Sequence, residues 1–185
     1  MIRTFLAFEL PFEIRQQIIL FRDSIKNYSA HKIKWVEDEN LHITLQFIGD
    51  IKENDLLDLS EIFRDIYQPI GKITFKYEKQ ELVPGRNPRI IWLKFETDSK
   101  TIYKTSHNLR NALFEKGYKV DKKPLKFHIT LGRIKKELDF DEINSFLHTD
   151  FELSDFTINH VTFFKSTLTP SGAIYKVIEK YKLKI

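Results

Sequence analysis

The chain has 185 residues, with 30 Lys and Arg against 26 Asp and Glu, 42% hydrophobic residues and 14% aromatic residues. A chain of this length buries roughly 70% of its unfolded surface on folding, and its aromatic content with only six Gly and six Pro excludes disordered, low-complexity and collagen-like classes. The absence of Cys excludes disulfide frameworks, thiolate chemistry and Cys-ligated metal centres, while a net charge of +4 tolerates an anionic ligand without announcing one.

In chain order, residues 2–10 alternate as a strand, and 11–28 carry the apolar spacing of a helix. A short strand around Trp35-Val36 then leads to the strand tetrapeptide His42-Ile43-Thr44-Leu45. Residues 53–68 read as a helix and 73–79 as an alternating strand. The second half begins with a strand at 88–96 and a helix at 97–114, where Ile102, Leu109 and Leu113 keep a spacing near 3.6. The strand His128-Ile129-Thr130-Leu131 follows, then a helix at 139–154 and a strand at 159–165. After the turn Thr169-Pro170-Ser171-Gly172, residues 173–183 alternate as a closing strand. No apolar run approaches the ~20 residues that span a bilayer. The first residues carry Arg3 and Glu9 and make a poor signal peptide, so a cytoplasmic protein with no membrane role is expected.

The tetrapeptide His-Ile-Thr-Leu occurs twice, at an offset of 86 residues. Applied along the chain, that offset superimposes strand on strand and helix on helix, and twice 86 accounts for nearly all 185 residues. The expected architecture is α+β and bilobal. Two pseudo-twofold-related, mostly antiparallel sheets line a central cleft, with helices on the outer faces, in a single domain over 1–185.

Alternation along a strand puts His42 with Thr44 on one face and His128 with Thr130 on one face, with apolar neighbours on the other. Facing each other across a cleft, two imidazoles and two hydroxyls suit displacement at phosphorus. One neutral imidazole takes a proton from the attacking oxygen and one imidazolium gives a proton to the leaving oxygen. Histidine fits both tasks because its pKa of about 6.5 lets both forms coexist, giving an expected rate maximum near neutrality. The hydroxyls donate to phosphoryl oxygens, where charge develops. No metal or other cofactor is called for, since two histidines alone make a poor metal site. Chance predicts about 0.4 His-x-Thr in such a composition. The third copy, His160-Val161-Thr162, lacks the Ile and Leu and falls off the tetrapeptide strand under the offset, so it reads as an ordinary strand segment. His31, His107 and His148 are expected to face solvent. Spacing alone leaves open which motif histidine gives the proton and which takes it.

These motifs resemble the two-histidine (HxTx) phosphoesterase superfamily, and within it the RNA 2′,3′-cyclic phosphodiesterase branch, also called the 2′-5′ RNA ligase family. The resemblance runs through Arg3-Thr4-Phe5-Leu6-Ala7, Asn40-Leu41-His42-Ile43-Thr44-Leu45, Pro88-Arg89-Ile90-Ile91-Trp92-Leu93, Phe127-His128-Ile129-Thr130-Leu131-Gly132-Arg133 and Gly172-Ala173-Ile174-Tyr175. It implies hydrolysis of a terminal 2′,3′-cyclic phosphate to a 2′-phosphate, with His42 as proton donor and His128 as proton acceptor. Thr44 and Thr130 would bind the phosphate, and reverse 2′-5′ ligation would be a minor activity. The implied partner is RNA with a cyclic phosphate end, tRNA fragments included, and the acting species a monomer. Arg133 resembles the arginine that follows the second motif, but strand parity turns it away from His128 unless a bulge intervenes. Phe5 and Phe47 are the candidates for stacking on a base. Two alternatives stand beside this reading: a related enzyme of small cyclic nucleotides or ADP-ribose cyclic phosphate, and a non-catalytic RNA- or nucleotide-binding module.

Overall fold

The computed structural model describes residues 1–26, 31–85, 87–120, 123–170 and 172–184; part of the first predicted helix (27–28) and Ser171 of the last turn lie outside these. The first half comprises β1 (Ile2–Glu9), α1 (Phe12–Lys26), β2 (Ile33–Trp35), β3 (His42–Ile51), α2 (Leu56–Tyr67) and β4 (Ile73–Val83). The second comprises β5 (Ile90–Glu96), α3 (Lys100–Glu115), β6 (Phe127–Ile134), α4 (Phe140–His148), β7 (Phe156–Ile158), β8 (His160–Leu168) and β9 (Ala173–Lys182). The fold is α+β, as the sequence pattern predicts. Its strands run in the order β7-β4-β5-β6-β3-β1-β8-β9, with β2 on β6. All strand pairings named here are antiparallel.

The expected two sheets are the two halves of this order, joined between β3 and β6 by one register pair, Ile43 with Ile129. Exchanging β1 with β5, β3 with β6 and β4 with β8 leaves the order of the six central strands unchanged. A consequence is that β4 pairs with β5 and β8 with β1. After the first motif β4 thus crosses into the half-sheet of the second, and after the second motif β8 crosses into that of the first, while the short β7 stays on β4.

The helices cover one face. Ile14, Ile18, Phe21 and Ile25 of α1, Leu59 and Phe63 of α2, and Ile102, Leu109 and Leu113 of α3 bury against Leu6, Phe8, Ile43, Leu93 and Ile129 of the sheet. Their spacing of three and four residues is the apolar stripe that a helix needs to bury one side. A smaller aromatic island of Phe5, Ala7 and Phe164, packed by Tyr175, lies on the opposite, open face.

One predicted helix end moves. The helix expected over 139–154 starts with a capping box, in which the Asp139 side chain accepts from the Glu142 N–H and the Glu142 side chain from the Asp139 N–H, but ends at His148. The amide of Gln80 on β4 donates to the carbonyls of Phe146 (3.0 Å) and Thr149 (2.7 Å), satisfying the end of α4 there. The short strand β7 after it pairs with the start of β4.

Candidate active site

The single pair Ile43–Ile129 fixes where the two motifs meet. In an antiparallel register the flanking positions are His42 beside Thr130 and Thr44 beside His128. Both isoleucines are fully buried, so these four side chains project from the open face, where all are half-buried. The two histidines are diagonal neighbours across the strand pair, a relation that sets backbones about 7–8 Å apart.

Each imidazole is held in the same way. His42 Nδ1 lies 2.6 Å from the Asn40 carbonyl, and His128 Nδ1 lies 2.9 Å from the Lys126 carbonyl. A carbonyl only accepts, so Nδ1 carries the hydrogen in both rings and Nε2 is left to face chemistry. For His42, Nε2 is also 2.9 Å from the Thr44 hydroxyl. The carbonyl of Asn40 is itself fixed: the Asn40 amide donates to the Ala173 carbonyl at 2.8 Å. The turn Asp38–Asn40 is tied down by buried Arg22, which pairs with Asp38 at 2.6 Å and donates to the Val36 carbonyl at 2.7 Å.

The surroundings of the two rings differ. Phe5 (5.2 Å between ring centroids) and Tyr175 (5.4 Å, edge-on at 87°) enclose His42, whereas His128 lies against Trp92 at 4.1 Å. Burial pushes both imidazoles below the ordinary histidine pKa. The Asn40 carbonyl opposes this at His42, and the charge of His128 adds to it. At His128 the Lys126 carbonyl and the Glu81 carboxylate oppose it, while the Lys126 ammonium adds to it. Each histidine thus feels burial most, and His42 also feels its partner's charge.

A β-bulge follows each motif. Leu6 and Ala7 of β1 pair with Gln46 and Thr44, leaving Leu45 as the extra residue. Ile91 and Trp92 of β5 pair with Gly132 and Thr130, leaving Leu131 extra. Leu45 and Gln46, like Leu131 and Gly132, are consecutive buried residues, and the alternation then slips by one. The slip returns Arg133 and Phe47 to the open face that carries the histidines; both are exposed, Phe47 at 59%. Arg133 lies close enough to act electrostatically on the Tyr175 hydroxyl. Phe5 behaves differently from expectation. It is 2% exposed, packed among His42, Phe47, Phe164 and Tyr175, so its ring backs His42 and is not free to stack on a base.

Beside His42 a cavity of about 230 Å³ is lined by Glu9, Arg15, Asn40, Phe164, Ile174 and Tyr175 among others. Glu9 pairs with His42 in the β1–β3 register. One oxygen of Glu9 takes the Thr162 hydroxyl (2.7 Å), Lys180 Nζ (2.6 Å) and His160 Nε2 (3.0 Å). Burial alone would raise the Glu9 pKa, but those hydrogen bonds hold it below the usual carboxylate value. The third His-x-Thr, on β8 two strands from β3, is thus bound to a carboxylate. His31, His107 and His148 are exposed. Among the described residues no group of three His, Asp or Glu is placed to hold a metal ion, and no helix is long and apolar enough to cross a membrane. Spacing alone did not single out Trp92, Glu81, Asn40 and Tyr175 around the histidines; three of them stand in the segments that carry the family resemblance, where their type was visible but not their contact.

Two imidazoles and two hydroxyls thus stand on one open face, presented by the adjacent antiparallel strands β3 and β6 of a pseudo-symmetric α+β fold. The model of the LigT-like phosphoesterases matches residues 8–92 and 96–175, and the chain belongs to that family, as one of its cyclic phosphodiesterases. It is 35% identical to an RNA 2′,3′-cyclic phosphodiesterase of Methanocaldococcus jannaschii, over 97% of this chain and 99% of that one. It is 31% identical to a protein of the same name from Thermotoga maritima, over 95% and 92%. Among solved structures, a protein of Thermus thermophilus aligns with a TM-score of 0.83 at 23% identity, covering 98% of this chain and 97% of that one. Escherichia coli LigT in its apo form aligns at 0.79 and 24% identity, covering 100% and 98%.

Proposed function

We propose that the protein hydrolyses the 2′,3′-cyclic phosphate at RNA ends to a 2′-phosphate, by paired-histidine acid–base catalysis without a metal. The observation that carries this reading is the Ile43–Ile129 pair, which sets two imidazoles of matching tautomer on one face. Near-full-length similarity to proteins named for that activity supports the substrate class.

Water attacks phosphorus, and the bond to the 3′ oxygen breaks. Following the family pattern, neutral His128 takes the proton of the water through Nε2, and His42 as imidazolium gives its Nε2 proton to the departing 3′ oxygen. The 2′-phosphate is formed, and the two histidines end with their protonation states exchanged. Thr44 and Thr130 donate to the non-bridging oxygens, where the two hydroxyls stand beside the opposite histidine in register. Arg133, returned to this face by the bulge, supplies positive charge toward the phosphate. Exposed Phe47 offers the ring for a base. Tautomers fixed by backbone carbonyls mean that little reorientation is needed before proton transfer.

The test is an oligoribonucleotide ending in 2′,3′-cyclic phosphate, incubated with the protein and excess EDTA, with the end group identified. A 2′-phosphate formed at the same rate with and without EDTA is expected. A 3′-phosphate product, or activity that disappears with EDTA and returns with a divalent ion, overturns the mechanism.

A further inference from the structure

Three adjacent strands on the open face carry Glu81 (β4), Trp92 (β5) and His128 (β6), and each side chain touches the next. Glu81 pairs directly with Trp92 in the β4–β5 register, and the indole Nε1–H donates to Glu81 Oε2 at 2.8 Å. Trp92 pairs with Thr130, on the same face as His128, and its ring lies over the imidazole at 4.1 Å with a tilt of 38°. His42 has a different enclosure, a phenyl and a phenol ring, and the carboxylate beside it in register, Glu9, is taken by Thr162, Lys180 and His160. The two histidines therefore differ in what stands behind them.

We propose that Trp92 and Glu81 are a positioning pair for His128: the carboxylate orients the indole, and the indole holds the imidazole in place while stabilising its charged form. This rests on the paired-histidine reading above. An indole face carries negative quadrupole charge toward a cation lying over it. The indole N–H is polarised by an ionised acceptor, which adds electron density to that face. Glu81 is that acceptor. Burial would raise its pKa, but hydrogen bonds from Trp92 and Lys79 (3.0 Å) keep it below the ordinary carboxylate value. The other charges around His128 are accounted for. Lys126 opposes a proton on it; Lys94, directly opposite in register, is paired with Glu78 at 2.8 Å; Lys79 is engaged by Glu81 itself. In the proposed cycle His128 becomes an imidazolium after taking the proton of water, so what favours its charged form favours that step.

The test uses Glu81→Gln, Trp92→Leu and Trp92→Phe, with thermal melting as a check on folding. The readouts are the pH profile of turnover on a 2′,3′-cyclic mononucleotide and the titration of the His128 ring followed by proton NMR. The His128 resonance is identified by its loss in His128→Asn. Glu81→Gln and Trp92→Leu are expected to lower the His128 titration midpoint by about half a pH unit or more. They should lower kcat with little change in KM, and leave the His42 midpoint nearly in place. Trp92→Phe keeps a ring but loses the N–H, and should fall between. A His128 midpoint that stays put or rises in both Glu81→Gln and Trp92→Leu overturns the proposal, whatever happens to the rate. Because the NMR titration needs no turnover, failure of the cyclic phosphodiesterase reading would show separately, as absence of product from the wild-type protein.

Discussion

Replacing Gly132 with Ala tests the join between the second motif and Arg133. A Cβ built on Gly132 would stand 2.6 Å from Ile33 Cγ2, 3.2 Å from Trp35 Cε3 and 3.4 Å from the Lys34 carbonyl oxygen. Carbon atoms in contact sit about 3.5–4.0 Å apart, so the Ile33 methyl would have to retreat by roughly 1 Å. It has little room: Ile33 is 7% exposed, and β2 is pinned to β6 at Ile33–Ile134, Lys34–Arg133 and Trp35–Gly132. Overpacking of this kind costs about 1–3 kcal/mol, offset by about 0.4–1 kcal/mol because alanine restricts the unfolded chain. A net loss of about 1–2 kcal/mol remains, which in a chain of this size lowers Tm by roughly 2–8 °C. Gly71→Ala is the control, since a Cβ there meets nothing within 4 Å. Thermal unfolding followed by circular dichroism at one pH compares the three proteins. The same shift displaces the bulge that carries Arg133, so turnover should drop along with Tm. A Gly132→Ala protein that melts within a degree of wild type, or a Gly71→Ala protein that loses as much, refutes the packing account.

Further outcomes are expected. His42→Ala and His128→Ala each lose about 10²–10⁴-fold in turnover with the fold retained, whereas His160→Ala keeps its rate because it stands on β8, two strands from β3; steady-state kinetics of all three decide it. Thr44→Ala and Thr130→Ala lose up to ~10²–10³-fold, and unchanged kcat/KM in both would show that the hydroxyls do not reach the phosphoryl oxygens. Arg133→Met is expected to raise KM for the anionic substrate, read from initial rates at low salt, and an unchanged KM would remove Arg133 from phosphate binding. Burial lowers both imidazole pKa values, so the bell of kcat/KM for the free enzyme centres below about 6.5, on the acid side of the neutral optimum that the residue type alone suggests. The kcat bell should lie higher, because bound phosphate favours the imidazolium. The same lowering means that the unfolded chain binds more protons than the folded one below about pH 6.5. Stability therefore falls as pH drops from there toward the lowered values, which melting at pH 5 against pH 7.5 measures.

What the sequence makes legible is whatever repeats at short range. The period-2 runs place the strands, and the i, i+3, i+4 spacing of Ile102, Leu109 and Leu113 places α3. Parity inside the tetrapeptides puts His42 with Thr44 and His128 with Thr130 on faces that the burial of Ile43 and Ile129 confirms as open. The bulges are not legible, because they break that parity. After Thr44, a polar Gln46 is buried next to Leu45, its side-chain oxygen taking Arg110 Nε at 3.2 Å and its amide donating to the Phe47 carbonyl at 3.0 Å. Without that far-off arginine, Gln46 would be read as a solvent-facing residue and Phe47 as core, the reverse of what stands. The same slip at Leu131–Gly132 is what carries Arg133 to the histidine face, so its place there depends on the closeness of β2 and not on its position in the strand. Contacts such as Trp92 on His128 and Glu9 with His160 are invisible for a related reason. They arise where strands distant in the chain become neighbours, and β4 and β8 each cross into the half-sheet that holds the other motif. The chemistry of this site is therefore written twice in short words, while the environment that makes its two histidines unequal is written only in the strand order.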